Sequence, residues 1–273
     1  MSGGLLAIFQ EKENALFNYL KNQPEADKSS GLLSYWRSND QFIIKESPVE
    51  LLTRVYTNIL TSGAIRAGST TFSMVMISDM QKGIMKTLNV GDSGFIIIRN
   101  GGIIYRSKPQ QHRFNAPYQL TICPPERNGS CIQDQPKDGD TYEHQLADGD
   151  MVVMGTDGLF DNLFDWQILQ VINQGLTLTS QEEFTKLTKE AAEGNMDAVN
   201  KLNEYLLLKA RNIAVMARVV SISENQFTFT PFAEGYRQET GKVISGGKPD
   251  DITVIVGMAL KRKLLLEMNK DQN

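Results

Sequence analysis

The octapeptide Gly155-Thr156-Asp157-Gly158-Leu159-Phe160-Asp161-Asn162 places two carboxylates four residues apart, directly after the apolar run Met151 to Met154. A strand that ends in Asp-Gly delivers a negative charge at the edge of buried backbone, where it is costly unless a cation or hydrogen-bond donors compensate it. The glycine permits the sharp backbone path that such an ending needs. Two further segments have the same character. Gly246-Gly247-Lys248-Pro249-Asp250-Asp251 runs into the β-branched stretch Ile252 to Val256, and Asn89-Val90-Gly91-Asp92-Ser93 joins two strand-like runs at 82–90 and 94–99. Each is an ordinary turn dipeptide when taken alone. Together they predict three acidic strand ends that converge on one site. Carboxylates are hard oxygen donors suited to Mg²⁺ or Mn²⁺, and no His or Cys cluster favours a softer metal such as Zn²⁺.

The elements that must carry these residues are legible in the periodicity. Leu5, Phe9, Leu16 and Leu20 predict a helix over 4–21, and Ser47-Pro48-Val49-Glu50 announces another with a capping box and a proline at its first position. Leu52, Val55, Tyr56 and Ile59 form the apolar stripe of that second helix. From 70 to 104 the pattern turns to strands at 71–77, 84–90 and 95–98, with Asn100-Gly101 as a hairpin signal. A polar strand is predicted at 141–146. Helices are predicted at 163–176, 180–194 and 197–216, the middle one opening with the capping box Ser180 to Glu183. A closing strand follows at 252–260. A strand block, a helix block and a final strand give an α+β fold with an antiparallel sheet.

The chain has 273 residues, 41% apolar and 22% charged, with a net charge of −4, which is enough for a sizeable core and offers no basic face for nucleic acid. No Pro/Ser/Gly-rich linker, low-complexity tract or repeat divides it, so one domain over 1–260 with a charged tail at 261–273 is expected. The N-terminal apolar run is five residues long with no basic residue ahead of it, which predicts neither a secretory signal nor a transit peptide. No run approaches the length of a membrane span. The reading is a soluble monomer that binds neither nucleic acid nor membrane. Cys123 and Cys131 are expected to be ordinary thiols, although the pair could bridge in an oxidising compartment. Trp36 and Trp166 are read as packing residues, and His112 and His144 as structural ones.

The acidic segments, in their order, resemble the metal-dependent protein serine/threonine phosphatases of type 2C. The segments that carry the resemblance are Gly68-Ser69-Thr70-Thr71, Asn89 to Phe95, Gln110 to Leu120, Thr156 to Asn162 and Gly246 to Val254, which together span about 68–258. The stretch from Gln110 to Leu120 is similar to the branch containing the mitochondrial phosphatase that acts on coenzyme Q biosynthesis proteins. The resemblance implies two antiparallel β-sheets face to face with helices outside both. It also implies hydrolysis of phosphoserine and phosphothreonine in phosphoprotein substrates by a two-metal site. Matched by motif, Asp157 and Asp250 are expected to ligate the two core ions, and Asp92 and Asp161 a third ion. Asp251 falls where the family often has Asn and is not counted as a ligand.

The family's Asp-Gly-X-Gly-Gly element, whose Asp bridges both metals, has no counterpart in the sequence. Met1 to Leu5 resembles the helix just downstream of it, so the expectation is a catalytic domain without its first strands. The compartment is expected to be cytoplasmic as the sequence stands, and mitochondrial if a segment precedes it. The runner-up is a catalytically inactive phosphatase-like protein with a binding or regulatory role. The segment from about Asn195 to Gln226 is the candidate surface for substrate choice. Its apolar run, Ile213 to Val220, is expected to be buried.

Overall fold

The computed structural model describes residues 46–127, 130–174 and 181–261. The helix expected at 4–21, Trp36, the Ser180 cap and the tail beyond Lys261 lie outside them. The chain divides into two compact units, one containing 46–90 and 118–145, the other 91–117 and 146–261.

The first unit opens with helix α1 (Pro48–Ser62). Its start is the predicted capping box: the Ser47 hydroxyl accepts from the Glu50 amide at 3.2 Å, and the Glu50 carboxylate accepts from the Ser47 amide at 2.7 Å. Leu51, Leu52, Val55 and Tyr56 are buried, and the Tyr56 hydroxyl donates to the Thr121 carbonyl at 2.8 Å. Strand β1 (Gly68–Thr70) pairs with β8 (Leu120–Ile122). Strands β2 (Phe72–Asp79), β3 (Ile84–Val90) and β9 (Asp140–Gln145) form an antiparallel sheet in the order β2-β3-β9. Met74, Met76, Leu88, Val90 and Leu120 join α1 in the core of this unit.

In the same unit Cys123 and Cys131 are joined by a disulfide, not left as thiols. The 3₁₀ turn Pro125–Arg127, closed by the Ser130 amide on the Arg127 carbonyl, folds the chain back and leaves the two Cα atoms 5.9 Å apart, within disulfide reach.

The second unit is built on an antiparallel sheet of β4 (Gly94–Arg99), β5 (Gly102–Arg106), β10 (Met151–Gly155) and β11 (Val254–Met258), in the order β11-β10-β4-β5. Asn100 and Gly101, both at positive φ (51° and 77°), make the tight turn from β4 to β5 as predicted. A two-strand ribbon, β6 (Gln111–Arg113) and β7 (Ala116–Pro117), leaves the sheet after β5. The helices are the one-turn α2 (Asp157–Phe160), α3 (Asp165–Asn173), α4 (Gln181–Ala192), α5 (Met196–Ser221) and α6 (Pro231–Thr240). Ile96, Ile98 and Val153 from the sheet pack with Leu159, Ile168, Leu202 and Ile213.

Helix α5 runs five residues past its predicted end. The apolar run within it is only half buried: Ile213 and Ala217 are fully covered, whereas Val215 is 54% and Val219 63% exposed. A helix has one inward stripe, and these residues surround it. Trp166, expected to pack, is 62% exposed. It lies two positions from the buried Ile168, about 200° round α3, and therefore points outward. The ammonium of the buried Lys209 caps α3 by donating to the Val171 carbonyl at 2.8 Å and to that of Gln174.

Candidate metal centre

Register explains why distant acids meet. Gly155 at the end of β10 pairs with Gly94 at the start of β4 on one side and with Val254 at the start of β11 on the other. Asp92, Asp157 and Asp250 therefore all project past the same end of one sheet. Antiparallel pairing makes a strand end and two strand beginnings coincide there.

Each segment is then locked to the next. The Thr156 hydroxyl donates to the Asp251 carbonyl at 2.9 Å and accepts from the Thr253 amide at 3.1 Å. The side chain of Asn162, fully buried, grips the backbone of Lys248 at both ends: its Nδ2 donates to the Lys248 carbonyl, and its Oδ1 accepts from the Lys248 amide, each at 2.9 Å. Its Nδ2 also donates to the Gly158 carbonyl at 2.9 Å. Gly158 serves close approach, not a strained turn. A Cβ there would lie 2.4 Å from the Asp251 carbonyl oxygen, inside any tolerable contact. The motif expected to aim carboxylates thus also carries the clamps for the loop opposite.

The centre of the arrangement is a residue that the sequence reading left without a role. The Lys248 ammonium lies 2.6 Å from Asp161 Oδ2, 3.1 Å from Asp157 Oδ2 and 3.3 Å from Asp250 Oδ2. Its side chain is 17% exposed and rests over the Phe232 ring at 5.0 Å. The remaining oxygens of two of the acids are held by neighbouring backbone. Asp157 Oδ1 accepts from the Gly158 amide and Asp250 Oδ1 from the Asp251 amide, both at 2.9 Å.

Asp92 is not in this triple contact. Its Oδ2 accepts from Gln111 Nε2 at 3.4 Å, and the charges of Asp157 and Asp161 reach it. Burial first, then those two charges, push its carboxyl up to about 6. Asp161 is also pushed up, by burial chiefly and by Asp157 and Asp250, against the pull of Lys248. Lys248 itself is held above its ordinary value: burial opposes its charge, but its bonds to Asp161 and Asp157 outweigh that. The two partners of the Lys248–Asp161 pair move up for different reasons: burial chiefly raises the acid, and the carboxylates around it raise the lysine. A single cation serves several anions, so it is bound tightly while the anions remain in excess.

The donor set is chemically right for a hard divalent ion, being carboxylate oxygen throughout. The spacing is that of hydrogen bonds to an ammonium, longer than the roughly 2.0–2.1 Å of Mg²⁺–oxygen bonds. Among the described residues no three acidic, His or Cys side chains are gathered closely enough to ligate a metal as they stand. The ammonium marks where a cation is held. Asp251 is exposed and takes part through its backbone carbonyl, which accepts from Thr156. His112 is exposed and His144 half-buried, and neither belongs to the cluster. A cavity of this unit opens at the Met151 end of β10, lined by Phe184, Tyr205 and Met258, and none of the four acids lines it. No described helix is long and apolar enough to cross a membrane.

The stretch from Gln110 to Leu120, with no generic purpose evident from sequence, supplies a wall of this site through its first eight residues. Gln111 reaches Asp92, and Phe114, at the turn of the β6–β7 ribbon, packs against Phe232 (tilted) and Tyr236 (edge-on) of α6 with ring centroids 5.2 and 6.0 Å away. Helix α6 is tied in turn to the acids, since the Phe232 amide donates to the Asp161 carbonyl at 3.0 Å.

Comparison with known proteins agrees with this construction. No protein-family model matches the chain. It is 35% identical over 215 residues to the protein phosphatase PTC7 homolog of Danio rerio and 33% identical over the same length to that of Homo sapiens, matches that cover 79% of this chain. The chain spans 63% and 62% of the lengths of those two relatives. Among solved structures, it is similar to the X-ray structure of the photosystem II phosphatase PBCP, with a TM-score of 0.57 and 27% identity, over 93% of this chain and 83% of that one. Sequence relatives, sheet architecture and the order of the acidic segments agree: the chain is similar to the PTC7 homologues of the type 2C family of metal-dependent protein phosphatases.

Proposed function

We propose that the protein hydrolyses phosphoserine and phosphothreonine in phosphoprotein substrates, with Asp157 and Asp250 holding two Mg²⁺ or Mn²⁺ ions and Asp161 and Asp92 an accessory one. The observation that carries this is the convergence of Asp157, Asp161 and Asp250, from segments about 90 residues apart, on a single cation. Bound there, the ions would supply an activated water and positive charge facing the phosphoryl oxygens. The chain's own residues have three tasks. Backbone amides of Gly158 and Asp251 orient the Asp157 and Asp250 carboxylates by fixing one oxygen of each. Thr156 and Asn162 hold the two acidic segments at constant separation. The excess of carboxylate over ammonium leaves attraction for a cation of higher charge.

A second reading is favoured by the same Lys248: a protein that binds phosphoprotein without hydrolysing it, its acids already neutralised in part. Hydrolysis of a phosphothreonine peptide under Mn²⁺ titration separates the two. Mn²⁺-dependent turnover that disappears in Asp157→Asn and in Asp250→Asn supports the phosphatase. Turnover surviving in both variants rules out the metal assignment, and its absence in the parent protein at every Mn²⁺ concentration supports the binder.

A further inference from the structure

We infer that Lys248 is a tethered counter-cation of the acidic centre, gathering Asp157, Asp161 and Asp250 when no metal is bound and surrendering their oxygens when Mg²⁺ or Mn²⁺ enters. The inference rests on the metal-site reading above. Its first support is which oxygens are involved. Asp157 and Asp250 each have one oxygen committed to a backbone amide and present the other, Oδ2, to the Lys248 ammonium. The oxygen each has left for a metal is the one the lysine holds, so the two cations compete for the same atoms.

The second support is the tether. Asn162 fixes the Lys248 amide and carbonyl, and Pro249 restricts the backbone that follows. The ammonium can leave the acids only by changing side-chain rotamers, and it cannot leave their neighbourhood. An ion delivered by the protein's own chain is present at all times, at a local concentration that dissolved metal must outcompete.

The third support is charge. One ammonium among three carboxylates offsets part of their mutual repulsion without neutralising them. A divalent ion, carrying twice the charge, gains more from the same oxygens than the lysine does. Lys248 is thus a positioning residue with a cost in metal affinity. That combination distinguishes it from a purely structural ion pair, whose loss would weaken metal binding along with the fold.

The test is Mn²⁺ binding to metal-stripped protein by calorimetry, beside thermal unfolding in chelator. Lys248→Met is expected to bind Mn²⁺ about tenfold more tightly than the parent, as follows when a unit positive charge leaves the site. The metal-free variant should unfold at lower temperature, and the difference should shrink at saturating Mn²⁺. Lys248→Arg, which keeps the charge, should not gain affinity. Equal or weaker Mn²⁺ binding by folded Lys248→Met overturns the inference. Lys248→Gln offers the same measurement if the Met variant does not fold. Asp157→Asn separates the two levels of the argument. Binding lost in Asp157→Asn but unimproved in Lys248→Met rejects the counter-cation alone, whereas a parent protein that binds no Mn²⁺ rejects the metal site and the inference together.

Discussion

Two clusters of charged side chains lie at opposite ends of β10, and they are built on different stoichiometry. Before the strand begins, Asp150, with its side chain fully buried, meets Arg99 in a bidentate pair, both bonds 2.7 Å, and accepts the Ala147 amide at 2.7 Å. Burial would raise its carboxyl, but the Arg99 and Ala147 bonds outweigh it and hold the group below the usual carboxylate range. Beyond the other end, three carboxylates share one lysine, with a fourth nearby, and two of the four are pushed up, not down. One cluster is balanced and closed. The other carries surplus negative charge that its own residues do not cancel. Breaking a matched buried pair strands a charge and destabilises the fold, whereas surplus charge in a partly buried cluster marks a candidate binding site.

The contrast predicts a double dissociation. The largest effect belongs to the mismatched end: Asp157→Asn or Asp250→Asn should lower Mn²⁺-dependent phosphopeptide turnover by about 10²–10³-fold, the scale set by loss of one preorganised electrostatic group. Stability in chelator should hold or rise, since each change removes surplus charge. At the matched end the outcome reverses. Asp150→Ala strands the Ala147 amide and should cost about 2 kcal/mol of stability by urea unfolding, with turnover per folded molecule unchanged. A stability loss in Asp250→Asn as large as that in Asp150→Ala would dissolve the distinction between the two clusters.

This contrast was half visible in the sequence. Strand ends are readable from local pattern, so Asp92, Asp157 and Asp250 could be nominated before any pairing was known, and the Ser47 box and the Asn100-Gly101 turn appear where their chemistry puts them. Lys248 could not be, because its meaning depends on register: only when Gly155 pairs with both Gly94 and Val254 do the acids surround it. A lysine inside Gly-Gly-Lys-Pro-Asp-Asp has the sequence appearance of a solvated charge. The bonds of Thr156 and Asn162 run 95 and 86 residues along the chain, beyond the reach of local pattern. The disulfide was missed for a related reason: whether two thiols meet depends on the turn at Pro125–Arg127 and not on their spacing. Trp166 is exposed because the phase of the helix that carries it, and not its hydrophobicity, sets the direction it faces.

The smallest effects sharpen the mismatched end by isolating Asp92. Its folded-state value, about 6 against an ordinary 3.8, means that the folded protein keeps a proton which the unfolded chain releases between those values. Stability owed to this group is therefore present below about pH 4 and is lost as pH rises through about 6. In chelator the parent protein should gain about 1 kcal/mol on Asp92→Asn as pH falls from about 6 to about 4, a figure reduced for the group's partial exposure to solvent. A difference that stays constant over that range would show that neither burial nor the charges of Asp157 and Asp161 raise the Asp92 carboxyl.

Gln111→Leu probes the same group from the ribbon. It removes a donor that favours the ionised carboxyl, so the window should move upward by about a few tenths of a pH unit, a small shift because the bond is long at 3.4 Å and exposed. Phe114, docked on α6, should keep the ribbon in place in that variant. A downward shift would mean that Gln111 holds Asp92 protonated, and the ribbon would then oppose cation binding at this end of the sheet.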